Sequence, residues 1–207
     1  MKAILAGFIL LVAQAIVVPR LPSAAAHAEQ RAFSKPGGAI VHVLSGEIDD
    51  QVMNVITVEG ELKPGDDRSF KQAVLTVNGP TLISLKSGGG SLHVGLEIGR
   101  TIWLNQFMTV VEDNVCASAC ALAWLAGRPR FAAAGAQIGF HSPTRRDDVS
   151  RQASSVGSAI VNAYLAALGL TTAAIAYLGE ASPDDMNWLT SDQARILGIY
   201  YKEFGAR

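Results

Sequence analysis

The chain has 207 residues, of which 49% are hydrophobic and 17% are charged, and its formal net charge is −1. This length and apolar content suffice for one domain with a sizeable buried core and leave too little chain for two comfortable domains. The mild negative charge, with no basic cluster larger than Arg145-Arg146, gives no electrostatic reason to expect nucleic acid as a partner.

The first 28 residues have the pattern of a secretory signal. Lys2 precedes an apolar run from Ala3 to Val18, and the small-residue stretch that follows ends in Ala26-His27-Ala28. The run is shorter than the roughly 20 residues that span a bilayer, so we predict cleavage after Ala28 and a periplasmic or secreted protein. The alternative is an uncleaved N-terminal anchor. Cleavage removes two basic residues and no acid, which brings the formal charge to −3.

The rest of the chain alternates between strand-like and helix-like patterns. A linker is predicted over residues 29–38 and one domain over residues 39–207. Apolar and β-branched runs predict strands over 39–44, 55–58, 81–86 and 108–111, around Arg130-Phe131, and over 137–140. Turn signals and helical spacing predict helices over 69–75, 92–102, 117–125, 156–167, 171–178 and 191–197, with a turn over 113–116. This alternation indicates an α/β fold with a mainly parallel sheet.

Ser118 stands where a predicted strand gives way to a predicted buried helix. Free backbone N–H groups at such a helix start can bind a developing oxyanion, which favours a nucleophilic role for this serine. An ordinary helix-capping serine is the alternative. The turn Gly88-Gly89-Gly90 at the end of an earlier strand can bring a second backbone N–H close to a ligand, because glycine has no side chain to prevent the approach.

A serine nucleophile requires a base within hydrogen-bond reach and usually a carboxylate that orients this base. Three histidines remain after removal of the signal: His42, His93 and His141. His141 ends a predicted strand, at the edge where α/β sheets bind ligands, whereas the other two lie inside regular elements. His141 is therefore the candidate base. The candidate carboxylates are Asp184, Asp185 and Asp192.

Six motifs follow one another in an order that carries a family resemblance. They are Ile83-Ser-Leu-Lys-Ser-Gly-Gly-Gly, Gly95-Leu-Glu-Ile-Gly, Cys116-Ala-Ser-Ala-Cys-Ala, Ala126-Gly-x-x-Arg-Phe, Ile138-Gly-Phe-His-Ser-Pro and Leu189-Thr-Ser-Asp-Gln-Ala-x-x-Leu-Gly-Ile. In this order the chain resembles the Clp protease proteolytic subunit, a serine peptidase family of the Clp/crotonase superfamily, over roughly residues 52–200. The resemblance implies a single domain built as a ββα superhelix with a mainly parallel sheet.

The same resemblance implies a Ser-His-Asp triad and an oxyanion hole. Ser118 corresponds to the nucleophile and His141 to the base, while the backbone N–H groups of Gly89 and Ala119 correspond to the oxyanion hole. Met186 aligns where the family has its aspartate, so the third member is predicted to be Asp185, one residue earlier, with Asp184 as the fallback. Neither a metal site nor a cofactor is expected.

Two features set the chain apart from that family. Cys116 and Cys120 flank the serine, and their spacing places them on one side of a helix, where a disulfide is allowed and two buried free cysteines are the alternative. Export also separates the chain from the family's cytosolic ATPase partner, so no ATPase is expected. We expect an energy-independent peptidase for peptides or unfolded proteins, and the resemblance implies a homo-oligomer.

Other functions were weighed against this one. A Ser-Lys dyad, as in the signal-peptide peptidase type of the superfamily, is disfavoured because no lysine occurs between Lys86 and Lys202. The crotonase branch, which binds acyl-CoA, needs no serine nucleophile and is the weaker choice. The alternative to an enzyme is a binding or scaffold protein of the same fold, with Met186 as the mark of an impaired triad.

Overall fold

Strands and helices alternate along the chain in a computed structural model that describes residues 29–48, 51–144 and 152–205. The strands are β1 Glu29–Ala32, β2 Ile40–Ile48, β3 Gln51–Glu59, β4 Thr81–Lys86, β5 Met108–Val111, β6 Val115–Ala117, β7 Arg130–Ala133, β8 Gln137–Phe140, β9 Asn187–Trp188 and β10 Lys202–Phe204. The helices are α1 Asp66–Val74, α2 Leu92–Leu104, α3 Ala119–Trp124, α4 Ser155–Ala167, α5 Thr172–Leu178 and α6 Ser191–Leu197. The predicted signal lies outside the described residues.

Two sheets organise the fold. The main sheet has the strand order β1-β2-β3-β4-β5-β7-β10, and a smaller sheet has the order β6-β8-β9. In the main sheet the pairs from β3 onward are all parallel, while β1 and β2 add an antiparallel margin. In the smaller sheet β6 and β8 are parallel and β9 is antiparallel. The predicted α/β class with a mainly parallel sheet is confirmed.

Helix α3 is buried along its whole length and lies under the predicted nucleophile. Helix α2 packs closely against it because the contact positions on α2 are glycines. A Cβ atom on Gly95 would collide with the carbonyl oxygen of Ala119, and one on Gly99 would collide with the hydroxyl of Tyr164. Without side chains at these positions the two backbones approach closely, which fixes the start of α3 relative to the main sheet.

Four segments differ from the sequence-based expectations. The predicted linker 29–38 contains β1, an exposed strand that pairs with β2. Backbone hydrogen bonds form this pair, so the polar side chains of the segment gave no sign of a strand. The predicted turn 113–116 instead leads into β6, so that the helix begins at Ala119, two residues later than predicted. The short strands β9 and β10 were not predicted, because two or three residues are too few to show a hydrophobic periodicity.

Within the described ranges, no helix has the length and apolar character needed to cross a bilayer.

Candidate active site

The backbone of Ser118 is held in an unusual conformation between β6 and α3. Its φ is 55° and its ψ is −124°, in a region that residues with a side chain rarely adopt. The N–H of Ser118 donates to the Gly139 carbonyl oxygen at 2.8 Å, and its own carbonyl accepts from the N–H of Leu122 at 3.2 Å. Such a conformation costs about 1–3 kcal/mol and persists because the surroundings impose it. A sharp strand-to-helix turn presents the nucleophilic serine in the α/β-hydrolases.

Gly89 lies directly against this turn. Its φ is 101°, and a Cβ atom at this position would lie 2.7 Å from the Cβ of Ser118 and 3.2 Å from the nitrogen of Ala119. Only a glycine allows this approach, because any side chain would overlap the serine. The structure thus brings together the predicted nucleophile and both residues predicted to form the oxyanion hole.

The two predicted oxyanion donors differ in their present hydrogen bonds. The N–H of Ala119, in the first turn of α3, has no backbone acceptor within the described part of the chain, as is usual for the first residue of a helix. The N–H of Gly89 donates to the hydroxyl oxygen of Ser87 at 3.0 Å. One donor is therefore open for a ligand, whereas the other must exchange its Ser87 partner for the substrate oxygen.

His141 reaches the same edge of the smaller sheet as Ser118. Strands β6 and β8 are parallel with Ala117 opposite Gly139, so the residues that follow the two strands emerge side by side. The Nδ1 atom of His141 lies 2.7 Å from the carbonyl oxygen of Ser142. A carbonyl oxygen only accepts hydrogen bonds, so this contact places the proton of a neutral imidazole on Nδ1 and its lone pair on Nε2. This is the tautomer that a base needs toward a serine hydroxyl.

The acceptor for His141 is itself firmly held. The N–H and the hydroxyl of the buried Ser142 both donate to the carbonyl oxygen of Ala181, each at 2.9 Å. These two bonds fix the residue whose carbonyl orients the imidazole ring. The contacts of Ser142 with His141 and of Ser87 with Gly89 were not predicted from the sequence. The sequence indicates them only by position, because Ser142 directly follows the candidate base and Ser87 directly precedes the glycine turn.

Asp185, the predicted third member, is an exposed residue. One of its carboxylate oxygens accepts the N–H of Met186 at 2.8 Å, and within the described residues it makes no hydrogen bond to His141. Met186 packs on β8, because a Cβ atom on Gly139 would lie 2.7 Å from the Cγ of this methionine. Asp184 and Asp192 are also exposed. The role of Asp185 stays a prediction, and the Ser142 carbonyl occupies the position at Nδ1 that a triad carboxylate would take.

Cys116 and Cys120 are joined by a disulfide that spans the serine turn. Their Cα atoms are 5.3 Å apart, and both side chains are buried. The expectation that both lie on one helix is wrong, because Cys116 belongs to β6 and only Cys120 belongs to α3. The chain reverses at Ser118, and this brings the two sulfur atoms together across the turn. The covalent link therefore closes the strand-to-helix turn that presents the serine.

A cleft of about 670 Å³ runs beside the glycine turn and is large enough for part of a peptide. At its side the ammonium group of Lys86 pairs with Glu59 at 2.7 Å, and this hydrogen bond raises the pKa of Lys86. A lysine held protonated in this way cannot act as a general base. The side-chain oxygen of Asn114, a cleft residue, is buried and accepts no hydrogen bond within the described residues. No group of side chains in those residues has the composition of a metal site.

Comparison with known proteins identifies the fold. No protein-family model matches the sequence, and no curated protein matches it. Two similar solved structures are mutants of the 1510-N membrane-bound stomatin-specific protease. A serine-to-alanine mutant is 16% identical over 72% of this chain and 77% of that chain, with a TM-score of 0.55. A lysine-to-alanine mutant in complex with a substrate peptide is 17% identical over 72% and 73%, with a TM-score of 0.54. The chain has the predicted Clp/crotonase type of fold.

Proposed function

We propose that this chain is a serine peptidase in which Ser118 is the nucleophile and His141 is the base. The observation that carries the proposal is the backbone of Ser118, which is held at φ 55° and ψ −124° with Gly89 pressed against it. A strained serine at a strand-to-helix turn has no evident structural use and is typical of catalytic sites. The similar fold of a protease that was crystallised with a substrate peptide supports the choice of substrate class.

The proposed chemistry uses the two side chains that follow the parallel strands β6 and β8. The Ser118 oxygen attacks the peptide carbonyl carbon while its proton passes to the Nε2 atom of His141. The negative charge that develops on the substrate oxygen is stabilised by the N–H groups of Ala119 and Gly89. Collapse of this intermediate breaks the C–N bond, and the proton on Nε2 passes to the leaving amine. Water then hydrolyses the acyl-enzyme by the same route, with His141 again as the base.

The Ser142 carbonyl supplies the orienting contact that a carboxylate supplies in a full triad. It fixes the tautomer of His141 and stabilises the imidazolium with a dipole instead of a full charge. Because the third member of a triad contributes less to the rate than the first two, a dyad with this contact is a sufficient catalyst. We therefore assign the catalytic work to Ser118 and His141.

Fluorophosphonate labelling tests the assignment, because the probe reacts with serines activated by a base. Labelling of the purified protein is expected at Ser118, and both Ser118→Ala and His141→Ala should abolish it. Ser155→Ala and His93→Ala are matched controls, since both side chains are exposed and neither is assigned a role in the reaction. They should label like the wild type. An unlabelled wild-type protein, under conditions where a reference serine hydrolase labels fully, would reject the peptidase assignment.

A binding protein of the same fold is the second candidate, and one observation favours it. The N–H of Gly89 is engaged by Ser87 at 3.0 Å instead of being open to a substrate oxygen. If the N–H of Gly89 stays bonded to Ser87, the oxyanion hole loses one of its two donors, which lowers the reaction rate by a factor of about 10²–10³. The Ser87→Ala variant separates the two candidates: faster labelling than wild type supports the peptidase, and absence of labelling in both proteins supports the binding protein.

We also propose that the protein works outside the cytoplasm without an ATPase and acts on peptides or unfolded proteins, as a homo-oligomer. The proposal on export rests on the sequence pattern of residues 1–28. Intact mass measured on protein from the periplasmic fraction should correspond to a chain that starts at Glu29. A mass that retains residues 1–28 would instead indicate an uncleaved anchor.

A further inference from the structure

A second pocket lies at the amino ends of the parallel strands of the main sheet, whereas the glycine turn lies at their carboxyl ends. Strands β5, β7 and β10 are parallel neighbours, so the loops that precede β7 and β10 meet at their amino ends. Between these loops is a pocket of about 370 Å³ whose main lining residues are Arg128, Pro129, Arg130, Tyr200, Tyr201 and Lys202. The glycine turn and the active site follow the carboxyl end of β4. The second pocket is therefore separate from the proposed catalytic centre.

Among the described residues, three with positive charge and no acid line this pocket. The guanidinium of Arg130 donates only to neutral acceptors, the carbonyl oxygens of Leu125 at 2.8 Å and Tyr200 at 3.0 Å. The guanidinium of Arg128 lies 3.3 Å from the centroid of the Trp103 ring and donates no hydrogen bond within residues 29–48, 51–144 and 152–205. The ammonium group of Lys202 lies 6.0 Å from the centroid of the Phe131 ring, and no acid of the described residues forms an ion pair with it. Most N–H donors of these cations are thus unused by the protein.

The unbalanced charge also acts on the cations themselves. Burial, and then the positive charge of Arg128, lower the pKa of Arg130 below its ordinary value. Clustered cations without a counter-charge oppose folding, because each one repels the others and loses solvation. An anion bound between them would remove this repulsion, and charge-assisted hydrogen bonds from guanidinium groups are among the strongest in proteins. The cluster is therefore most stable when an anion occupies it.

We infer that the pocket between Arg128, Arg130 and Lys202 binds a phosphate group. A phosphate carries more charge and more acceptor oxygens than a carboxylate, and so suits a pocket lined by three cationic residues better. The stacking of Arg128 on Trp103 pre-orients its planar fork for two parallel hydrogen bonds. Two tyrosines add hydroxyl groups and apolar surface beside the cations. The pocket is large enough for a phosphate and part of the molecule that carries it.

The phosphate has two possible carriers, a soluble phosphate ester or the headgroup of an anionic phospholipid. The surroundings of the pocket are compatible with both. Tyr200, which lines the pocket, is 77% exposed, so an amphipathic side chain stands at the rim where a bilayer would contact the protein. The shared chemistry is the phosphate, and the carrier is decided by experiment.

Pyrophosphate binding to the full-length purified protein tests the inference. Isothermal titration calorimetry, with sodium chloride of equal ionic strength as the reference, should detect saturable binding to the wild type. Arg128→Gln and Lys202→Gln should each weaken the affinity at least tenfold. Arg68→Gln, which removes the same charge from an exposed residue of α1, should bind like the wild type. Arg130 is left unchanged because its bonds to two loops support the fold, and circular dichroism confirms that each variant is folded.

Vesicles separate the two carriers. Binding to phosphatidylglycerol vesicles but not to phosphatidylcholine vesicles, lost in Arg128→Gln and Lys202→Gln and competed by pyrophosphate, identifies a lipid headgroup. Pyrophosphate binding that depends on these two residues, without vesicle binding, identifies a soluble phosphate ester. The inference is wrong if pyrophosphate binds no better than chloride, or if both pocket variants bind pyrophosphate and vesicles as the wild type and Arg68→Gln do. Labelling at Ser118 is independent of all these outcomes.

Discussion

Replacement of Gly89 by alanine puts the proposed site under the most direct test. Gly89 has a φ of 101°, and its missing side chain leaves the space that Ser118 occupies. The added Cβ would lie 2.7 Å from the Cβ of Ser118 and 2.8 Å from the carbonyl oxygen of Ala117. Ordinary contacts of a Cβ atom begin at 3.4 Å, so the serine turn or the glycine turn must move.

The cost of this change has two parts. A residue with a side chain at such a φ costs about 1–3 kcal/mol. An extra methyl group in well-packed surroundings costs about 1–3 kcal/mol more. The free energy of unfolding should therefore fall by about 2–6 kcal/mol, out of the roughly 5–15 kcal/mol that is typical of a domain. Movement of the turn also misplaces an oxyanion donor, which should slow the reaction of Ser118 about 100-fold or more.

Gly88 provides the matched control, because a Cβ atom at this position would meet nothing within 4 Å and its φ is not positive. Gly88→Ala should label with fluorophosphonate at the wild-type rate and unfold at the wild-type temperature. Gly89→Ala should be slower and less stable, with labelling measured below its own unfolding transition, followed by circular dichroism. If Gly89→Ala labels as fast as Gly88→Ala, the contact between the glycine turn and Ser118 has no role in the reaction.

Three further changes follow from the structure. Asp185→Asn should change the labelling rate less than threefold, because within the described residues this exposed carboxylate accepts a hydrogen bond only from the N–H of Met186, at 2.8 Å; a 100-fold loss would restore Asp185 to the triad. In the double variant Cys116→Ala/Cys120→Ala the free energy of unfolding, measured with urea, should fall by about 2 kcal/mol. This is the loop entropy that a disulfide with a sequence separation of 4 removes from the unfolded chain, and an unchanged free energy of unfolding would contradict it. Asp66→Ala should cost about 3 kcal/mol more than Asp67→Ala, because the buried Asp66 carboxylate accepts two backbone N–H groups at 3.0 and 2.7 Å. Equal melting temperatures of these two variants would argue against that assignment.

Regular elements with strong apolar patterns were predictable from the sequence. The bounds predicted for β4 and β5 are confirmed, because central parallel strands are buried on both faces and appear as continuous apolar runs. The last helix, α6, is also confirmed from Ser191 to Leu197, and the hydrogen bonds between Thr190 and Gln193 show why it starts there. These features depend on local patterns, which a single sequence contains.

The details of the site depend on contacts between distant segments, and these were not predictable. The spacing of Cys116 and Cys120 suggested one helix, because a reversal of the chain at Ser118 leaves no mark in residue types. Strand β10 pairs with β7, which lies far from it in the sequence. The hydrogen bond from Arg130 to the Tyr200 carbonyl, between the same two segments, joins residues that are 70 positions apart. The contact that orients His141 comes from a backbone carbonyl, a group that every residue has.

That backbone contact has a consequence for how such a site evolves. A triad that depends on an aspartate side chain is lost through a single codon change, whereas any residue at position 142 would still carry a carbonyl oxygen. Selection would then act on what holds this carbonyl in place, namely the two bonds from Ser142 to Ala181. We therefore expect substitutions of Asp185 and Met186 to be tolerated, and a small hydroxyl residue to be required after the histidine. The acid of the triad would be replaceable over evolutionary time, and the anchor of the loop would not.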